Sequence, residues 1–162
     1  MGRGGGEVTS DRPSGEDRRR SGARRAPRPR PRRLIALDAS VAVEILAGSK
    51  TGRTAAALIA DERLAVPAHF DAEVYSAFRR HFRQGLMTRR QLDTVTAHLL
   101  ALAAERVALP PLLVEAHVLA DRFSVGDAFY VALARARRIE LWTADARLDR
   151  AAAGLAEVRL IA

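Results

Sequence analysis

Apolar positions along the chain fall into two alternating rhythms. Leu34 to Leu37 is a continuous apolar run, too short for a helix and without the alternation of a half-buried strand, so it predicts a strand buried on both faces of a parallel sheet. Ser40 to Ala47 takes helical spacing and stops at Gly48, a residue suited to a left-handed cap. Alanine-rich Thr51 to Arg63 predicts a second helix, and Leu64 to Val66 before Pro67 a short second strand. Phe70, Val74, Phe78 and Phe82 recur at every fourth position, so a helix over about 68–84 buries that stripe and ends at Gly85. Thr88 and Gln91 form a capping box opening another helix with the stripe Leu92, Val95, Leu99 and Leu102, which predicts an antiparallel helical hairpin.

Further on, Arg106 to Leu109 reads as a third strand ended by Pro110 and Pro111, and Leu112 to Phe123 as a helix. Ser124 opens the next helix, with Phe129, Leu133 and Ala136 as its stripe. Ile139 to Trp142 is a fourth strand, Asp145 to Ala153 a short helix and Val158 to Ile161 a last strand. Strands alternating with helices imply a mostly parallel sheet, because right-handed crossovers place helices on both of its faces. The expected fold is a three-layer α/β/α sandwich carrying the helical hairpin.

Charge divides the chain in two. Residues 1–33 carry eleven arginines against four acids, with glycine, proline and serine and almost nothing apolar. Such a segment buries too little surface to offset the entropy of ordering, so 1–33 is expected to be a disordered tail and 34–162 the folded domain. Residues 34–162 hold 16 basic and 15 acidic residues, so most of the net charge of +8 belongs to the tail. The Arg25 to Arg33 stretch could hold RNA phosphates, or it could be a solvated tail. Absence of cysteine excludes disulfides, zinc thiolate sites and a thiol nucleophile, and suits a reducing cytoplasm. No apolar run approaches the roughly 18 residues of a membrane span, which predicts a soluble protein.

Four carboxylates take comparable places in this scheme. Asp38 follows the first strand, Glu73 lies on the helix after the second, Asp127 stands at a helix start and Asp145 follows the fourth strand. Each is near the carboxyl edge of the sheet, where ligands bind in open α/β folds. Convergent carboxylates repel one another unless a cation compensates, and oxygen ligands without histidine or cysteine favour Mg²⁺ or Mn²⁺. Each acid also has a structural reading: Asp38, Asp127 and Asp145 could serve helix N-termini, and Glu73 could be a solvated face residue. His69, one turn before Glu73, could support it or simply be a half-exposed helix-start histidine. Glu44 and Asp149 read as surface acids, His81, His98 and His117 fit no ligand spacing, and Trp142 reads as core.

The segments Leu37-Asp38-Ala-Ser40, Val66-Pro67 with Glu73-Val74, Asp127-Ala-Phe-Tyr130-Val-Ala-Leu-Ala134 and Leu141-Trp-Thr143-Ala-Asp145 together resemble the PIN-domain ribonucleases, most of all the VapC toxins of bacterial toxin–antitoxin pairs. The likeness runs over about 34–162 in order and spacing; the arginine-rich extension is a departure from the compact family members. The resemblance implies an endoribonuclease dependent on Mg²⁺ or Mn²⁺ that cuts structured RNA, tRNA or rRNA. It matches Asp38, Glu73, Asp127 and Asp145 to the family's acidic cluster, with Asp38 and Asp127 as the strongest metal ligands and Ser40 and Thr143 as supporting hydroxyls. It also implies a homodimer held inactive by a VapB-like antitoxin. Because the cleft is acidic and RNA anionic, cations must hold the substrate at the rim, and Arg79, Arg80 and Arg83, with Arg89 and Arg90, are the candidates.

Two other classes compete. Receiver domains and haloacid-dehalogenase-type phosphatases place acids at the same sheet edge, but both use a late lysine, and the only lysine here is Lys50. A catalytically silent PIN-fold module that binds RNA or a partner is the remaining alternative, and retention of four mutually repulsive acids argues against it.

Overall fold

The parallel strand expected at Leu34 lies at the centre of the sheet. In the computed structural model, which describes residues 1–2 and 32–162, five strands pair in the order β3-β2-β1-β4-β5, all parallel. They are β1 (Leu34–Leu37), β2 (Arg63–Pro67), β3 (Ala104–Val107), β4 (Leu141–Thr143) and β5 (Val158–Leu160). The expected tail, apart from its two ends, lies outside the described residues. Arg33 belongs with the folded part: its N–H and guanidinium bind Glu62 at 2.9 to 3.3 Å, and its carbonyl accepts from Arg63 N–H at 2.7 Å.

Among the described residues seven α-helices surround the sheet: α1 (Ala39–Ala47), α2 (Lys50–Ile59), α3 (Phe70–Arg83), α4 (Arg89–Leu100), α5 (Leu113–Val118), α6 (Val125–Arg137) and α7 (Ala146–Ala152). The result is the three-layer α/β/α arrangement. The hairpin of α3 and α4 turns at Gly85, whose φ of 72° lies in the left-handed region, and restarts at a Thr88–Gln91 capping box. Phe70, Val74 and Phe78 on α3 and Leu92, Val95 and Leu99 on α4 are buried, as their spacing predicts. No helix among the described residues is long and apolar enough to cross a membrane.

Helix α6 is the exception to amphipathic patterning. Ala128 to Ala134 are buried without interruption, because α6 packs on β1, β2 and β4 and is covered by α5. Ala136, expected in its stripe, is exposed beyond this stretch.

Four of the differences from the expected boundaries have a visible cause. Helix α2 ends at Ile59, because Arg63 is drawn into β2 by its bond to Arg33. Strand β3 begins two residues early: at the sheet edge, pairing to β2 sets its register more than its own half-polar sequence does. The expected helix from Leu112 breaks into a 3-10 turn, Pro110–Leu112, which takes both prolines in its first positions, and the short α5. Strand β4 begins at Leu141, because the Ile139 N–H is spent on the Ala134 carbonyl at the end of α6.

The strand order reverses at β1, with β2 and β3 added on one side and β4 and β5 on the other. That makes the carboxyl ends of β1 and β4 a topological switch point, the place where open α/β sheets leave a crevice.

Candidate active site

Asp38 stands at that crevice. Its N–H still bonds the Trp142 carbonyl at 2.9 Å, so its backbone is part of the sheet, and the residue is 5% exposed. Carboxylate Oδ2 accepts from Ser40 Oγ at 2.5 Å and from Thr143 Oγ1 at 2.7 Å. A hydroxyl has a single proton, and both are given to Asp38, so the 3.3 Å approach of the two hydroxyls to each other carries no proton of its own. As acceptors they take the Ala144 and Asp145 N–H groups, each at 2.9 Å. Ser40 and Thr143 thus clip the turn after β4 to the end of β1 and leave Oδ1 as the uncommitted oxygen of Asp38 among the described residues. Burial pushes the Asp38 carboxyl above its ordinary range, the two hydroxyls pull it down, and the Glu73 and Asp127 charges push it up again.

Glu73 projects from the first turn of α3, with 43% of its side chain exposed. Tyr130, fully buried in α6, donates its hydroxyl to Glu73 Oε2 at 2.8 Å. Burial, with the Glu73 and Asp38 charges, drives this phenol far above its usual value, so it remains protonated and a donor. Gly126, in the first turn of α6, comes so near that a Cβ there would stand 3.5 Å from Glu73 Oε1.

Asp127, next to Gly126 in the same first turn, is half-buried, and its N–H is capped by Ser124 Oγ at 3.2 Å. Its charge is felt at Asp38 and at His69. His69 stacks against Phe129 and Tyr130 and holds Nε2 3.6 Å from Glu73 Oε2, and neither ring nitrogen has a hydrogen-bond partner among the described residues. Burial lowers its pKa, against the pull of Glu73 and Asp127.

Asp145 is placed differently. Its Oδ1 accepts from the Arg147 N–H at 2.7 Å and from Arg147 Nε at 3.4 Å, and Oδ2 from Arg147 Nη2 at 3.1 Å. These bonds hold its carboxyl below the usual range. The structure therefore brings Asp38, Glu73 and Asp127 into one electrostatic neighbourhood with Ser40 and Thr143, while the Asp145 carboxylate is engaged by Arg147 at the rim.

The donors suit a hard divalent cation. All are oxygens, and Asp38 keeps one oxygen uncommitted. Among the described residues no three acids or histidines close on a single point, so water ligands would have to complete a coordination shell, as Mg²⁺ commonly retains several.

Arg79, Arg80 and Arg83, with Ser76 and Gln84, line a polar groove of about 430 Å³ on α3, the helix that carries Glu73. Arg89 is paired with Asp93 at 2.9 Å, and Arg90 lines a separate, mainly apolar groove between α1, α3 and α4. Two residues of the site were not assigned a part from sequence. Tyr130 is the one hydroxyl in an otherwise apolar buried run, and Arg147 stands two residues after a helix-capping aspartate; both are signals of position.

The family profile described as PIN domain matches residues 35–154. Ribonuclease VapC12 of Mycobacterium tuberculosis is 35% identical over 129 residues, which is 80% of this chain and 100% of that protein. A toxin–antitoxin complex from Klebsiella pneumoniae superposes with a TM-score of 0.60 at 17% identity, over 79% of this chain and 98% of that one. Mycobacterium tuberculosis VapC20, a sarcin-ricin-loop-cleaving toxin, superposes with a TM-score of 0.58 at 24% identity, over 77% and 98%.

Proposed function

This chain belongs to the PIN-domain family, among the VapC ribonucleases, and on that premise we propose that it is an endoribonuclease toxin that requires Mg²⁺ or Mn²⁺ and cuts structured RNA, tRNA or rRNA. The observation that carries the reading is Asp38: a buried carboxylate with one oxygen saturated by Ser40 and Thr143, the other uncommitted, and two further acids pressing their charge upon it. Asp38 and Asp127 are the principal metal-holding groups, and Glu73 joins them. When bound, the cation supplies Lewis acidity, a water of lowered pKa and neutralising charge at the leaving oxygen.

The chain's own groups supply the geometry. Ser40 and Thr143 hold Asp38 through Oδ2 and leave Oδ1 uncommitted, and Tyr130 fixes Glu73 through Oε2. Arg79, Arg80 and Arg83 lie on α3 beyond Glu73 and offer a cationic track for the strand leaving the acids. Asp145 completes the acidic rim. Since water is the nucleophile and the RNA 2′-hydroxyl is not needed, products should carry 5′-phosphates.

The partners in this reading are a VapB-like antitoxin, in line with the toxin–antitoxin complex that shares the fold, and a second copy of the chain. The sarcin-ricin loop that VapC20 cleaves is a first substrate to try. The test is incubation of the purified full-length chain, freed of antitoxin, with total bacterial RNA, with and without Mg²⁺ or Mn²⁺, beside Asp127→Asn. Discrete fragments that need both metal and Asp127 support the assignment. Metal binding with no RNA cut would turn the reading to the silent binding module.

A further inference from the structure

We propose that Arg147 is a phosphate-binding residue at the rim of the acidic cleft and that Asp145 is the residue that positions it. This rests on the reading of the chain as an RNA-cutting PIN domain, and it gives the fourth acid a part other than holding metal.

The bonds run in one direction. Asp38 is tied to Thr143, Thr143 Oγ1 takes the Asp145 N–H, and the Asp145 carboxylate takes three donors of Arg147, its N–H, Nε and Nη2. The guanidinium is thereby fixed relative to Asp38 by a short chain of hydrogen bonds, where a free surface arginine would sample many rotamers. A carboxylate whose oxygens already accept three bonds is a poor candidate for a direct metal ligand.

A guanidinium has five N–H donors, and Asp145 uses two of them, on Nε and Nη2. Both protons on Nη1 and one on Nη2 remain, on a side chain that is 85% exposed. That is the arrangement for bridging a fixed carboxylate to an arriving phosphate. The location matters as much as the geometry, because Thr143 ties the Asp145 backbone to Asp38 and Asp145 in turn holds Arg147. An anionic backbone approaching Asp38, Glu73 and Asp127 meets repulsion, and a cation held by Asp145 at the rim offsets it without entering the acid cluster. The groove of Arg79, Arg80 and Arg83 lies along α3, so Arg147 on α7 supplies a cation on an element of its own.

The test uses the full-length chain and a fluorescein-labelled single-stranded RNA of about 15 nucleotides, followed by anisotropy without divalent metal across a salt series. Arg147→Ala should weaken binding about tenfold and flatten the plot of log affinity against log salt by about 0.7, one phosphate's worth on a single strand. Arg147→Lys should restore the slope but only part of the affinity, since it keeps the charge and loses the fork. Asp145→Asn should weaken RNA binding in the same direction and leave Mn²⁺ binding, read by electron paramagnetic resonance, as in the wild type.

An Arg147→Ala protein with wild-type affinity and slope overturns the proposal. So does an Asp145→Asn protein that loses Mn²⁺ affinity while keeping its RNA affinity. Failure of the underlying reading has another signature: wild-type protein that cuts no RNA with either metal, whatever Arg147 contributes to binding.

Discussion

Thr143 Oγ1 lies 2.7 Å from Asp38 Oδ2, a buried hydrogen bond between residues 105 positions apart. The same oxygen accepts the Asp145 N–H, so one hydroxyl joins the end of β1, the end of β4 and the approach to α7. Thr143→Val keeps the shape and removes both bonds. It should cost about 1–3 kcal/mol in urea-induced unfolding, because a buried carboxylate loses a donor and an amide its acceptor. Cleavage should fall by about tenfold or more, since Asp38 is then held by Ser40 alone. Unchanged stability would mean that the hydroxyl bears no structural load.

Asp38 predicts a dependence on pH. Its carboxyl is raised above the ordinary value of 3.8, chiefly by burial, so the folded state binds this proton more tightly than the unfolded chain does. Its contribution to stability is therefore present below 3.8 and is lost as pH rises through the higher folded value. As pH rises towards 7 in a chelator, ionisation of this group weighs increasingly against folding. Asp38→Asn should melt above the wild type there, and the gap should close as the buffer is made acid. Calorimetry from pH 7 downward checks it; a variant that melts lower at neutral pH contradicts the assignment of burial as the dominant cause.

Tyr130→Phe isolates the hydroxyl that holds Glu73. The ring stays packed against His69 in the buried run of α6, and only the 2.8 Å bond to Oε2 is lost. Glu73 is half open to water, which can replace the missing donor, so stability should change by no more than about 1 kcal/mol. Cleavage should drop about tenfold with the RNA KM unchanged, because a loosened Glu73 spoils the arrangement of the acids and not the grip on substrate. A rise in KM alone would place Tyr130 in substrate binding.

Gly52 tests the α1–α2 junction, away from the acids. Ser49 caps α2 through the Gly52 N–H at 2.8 Å, and a Cβ on Gly52 would lie 1.9 Å from the Glu44 carbonyl oxygen. Backbone cannot yield as a flexible side chain does, so Gly52→Ala should cost about 1–3 kcal/mol and lower the melting temperature by several degrees. Normal melting would show that the two helices can part at little cost.

Much of this was legible in the sequence, for reasons that particular residues make plain. Leu34 to Leu37 announces a central parallel strand because both its faces are covered, and its carboxyl end locates Asp38 before any coordinate is known. The α3 and α4 stripes are legible because each helix has one wet face. Strand β3 is less so, because an edge strand takes its register from its neighbour. The engagement of Asp145 by Arg147 was out of reach, since it depends on a rotamer as much as on spacing, and the unpartnered imidazole of His69 depends on what α6 lays over it. Arg33, assigned to the tail by composition, is held by Glu62, a partner its neighbours in sequence do not reveal.

The sheet order has a consequence for the timing of synthesis. Strand β1 is made early but has β4 as one of its two neighbours, and the hydroxyl that secures Asp38 arrives with β4. A growing polypeptide that has produced Asp38, Glu73 and even Asp127 still lacks Thr143. The acidic site is thus incomplete for as long as the ribosome is still making β4, and Asp38 gains its second hydroxyl donor only late in synthesis.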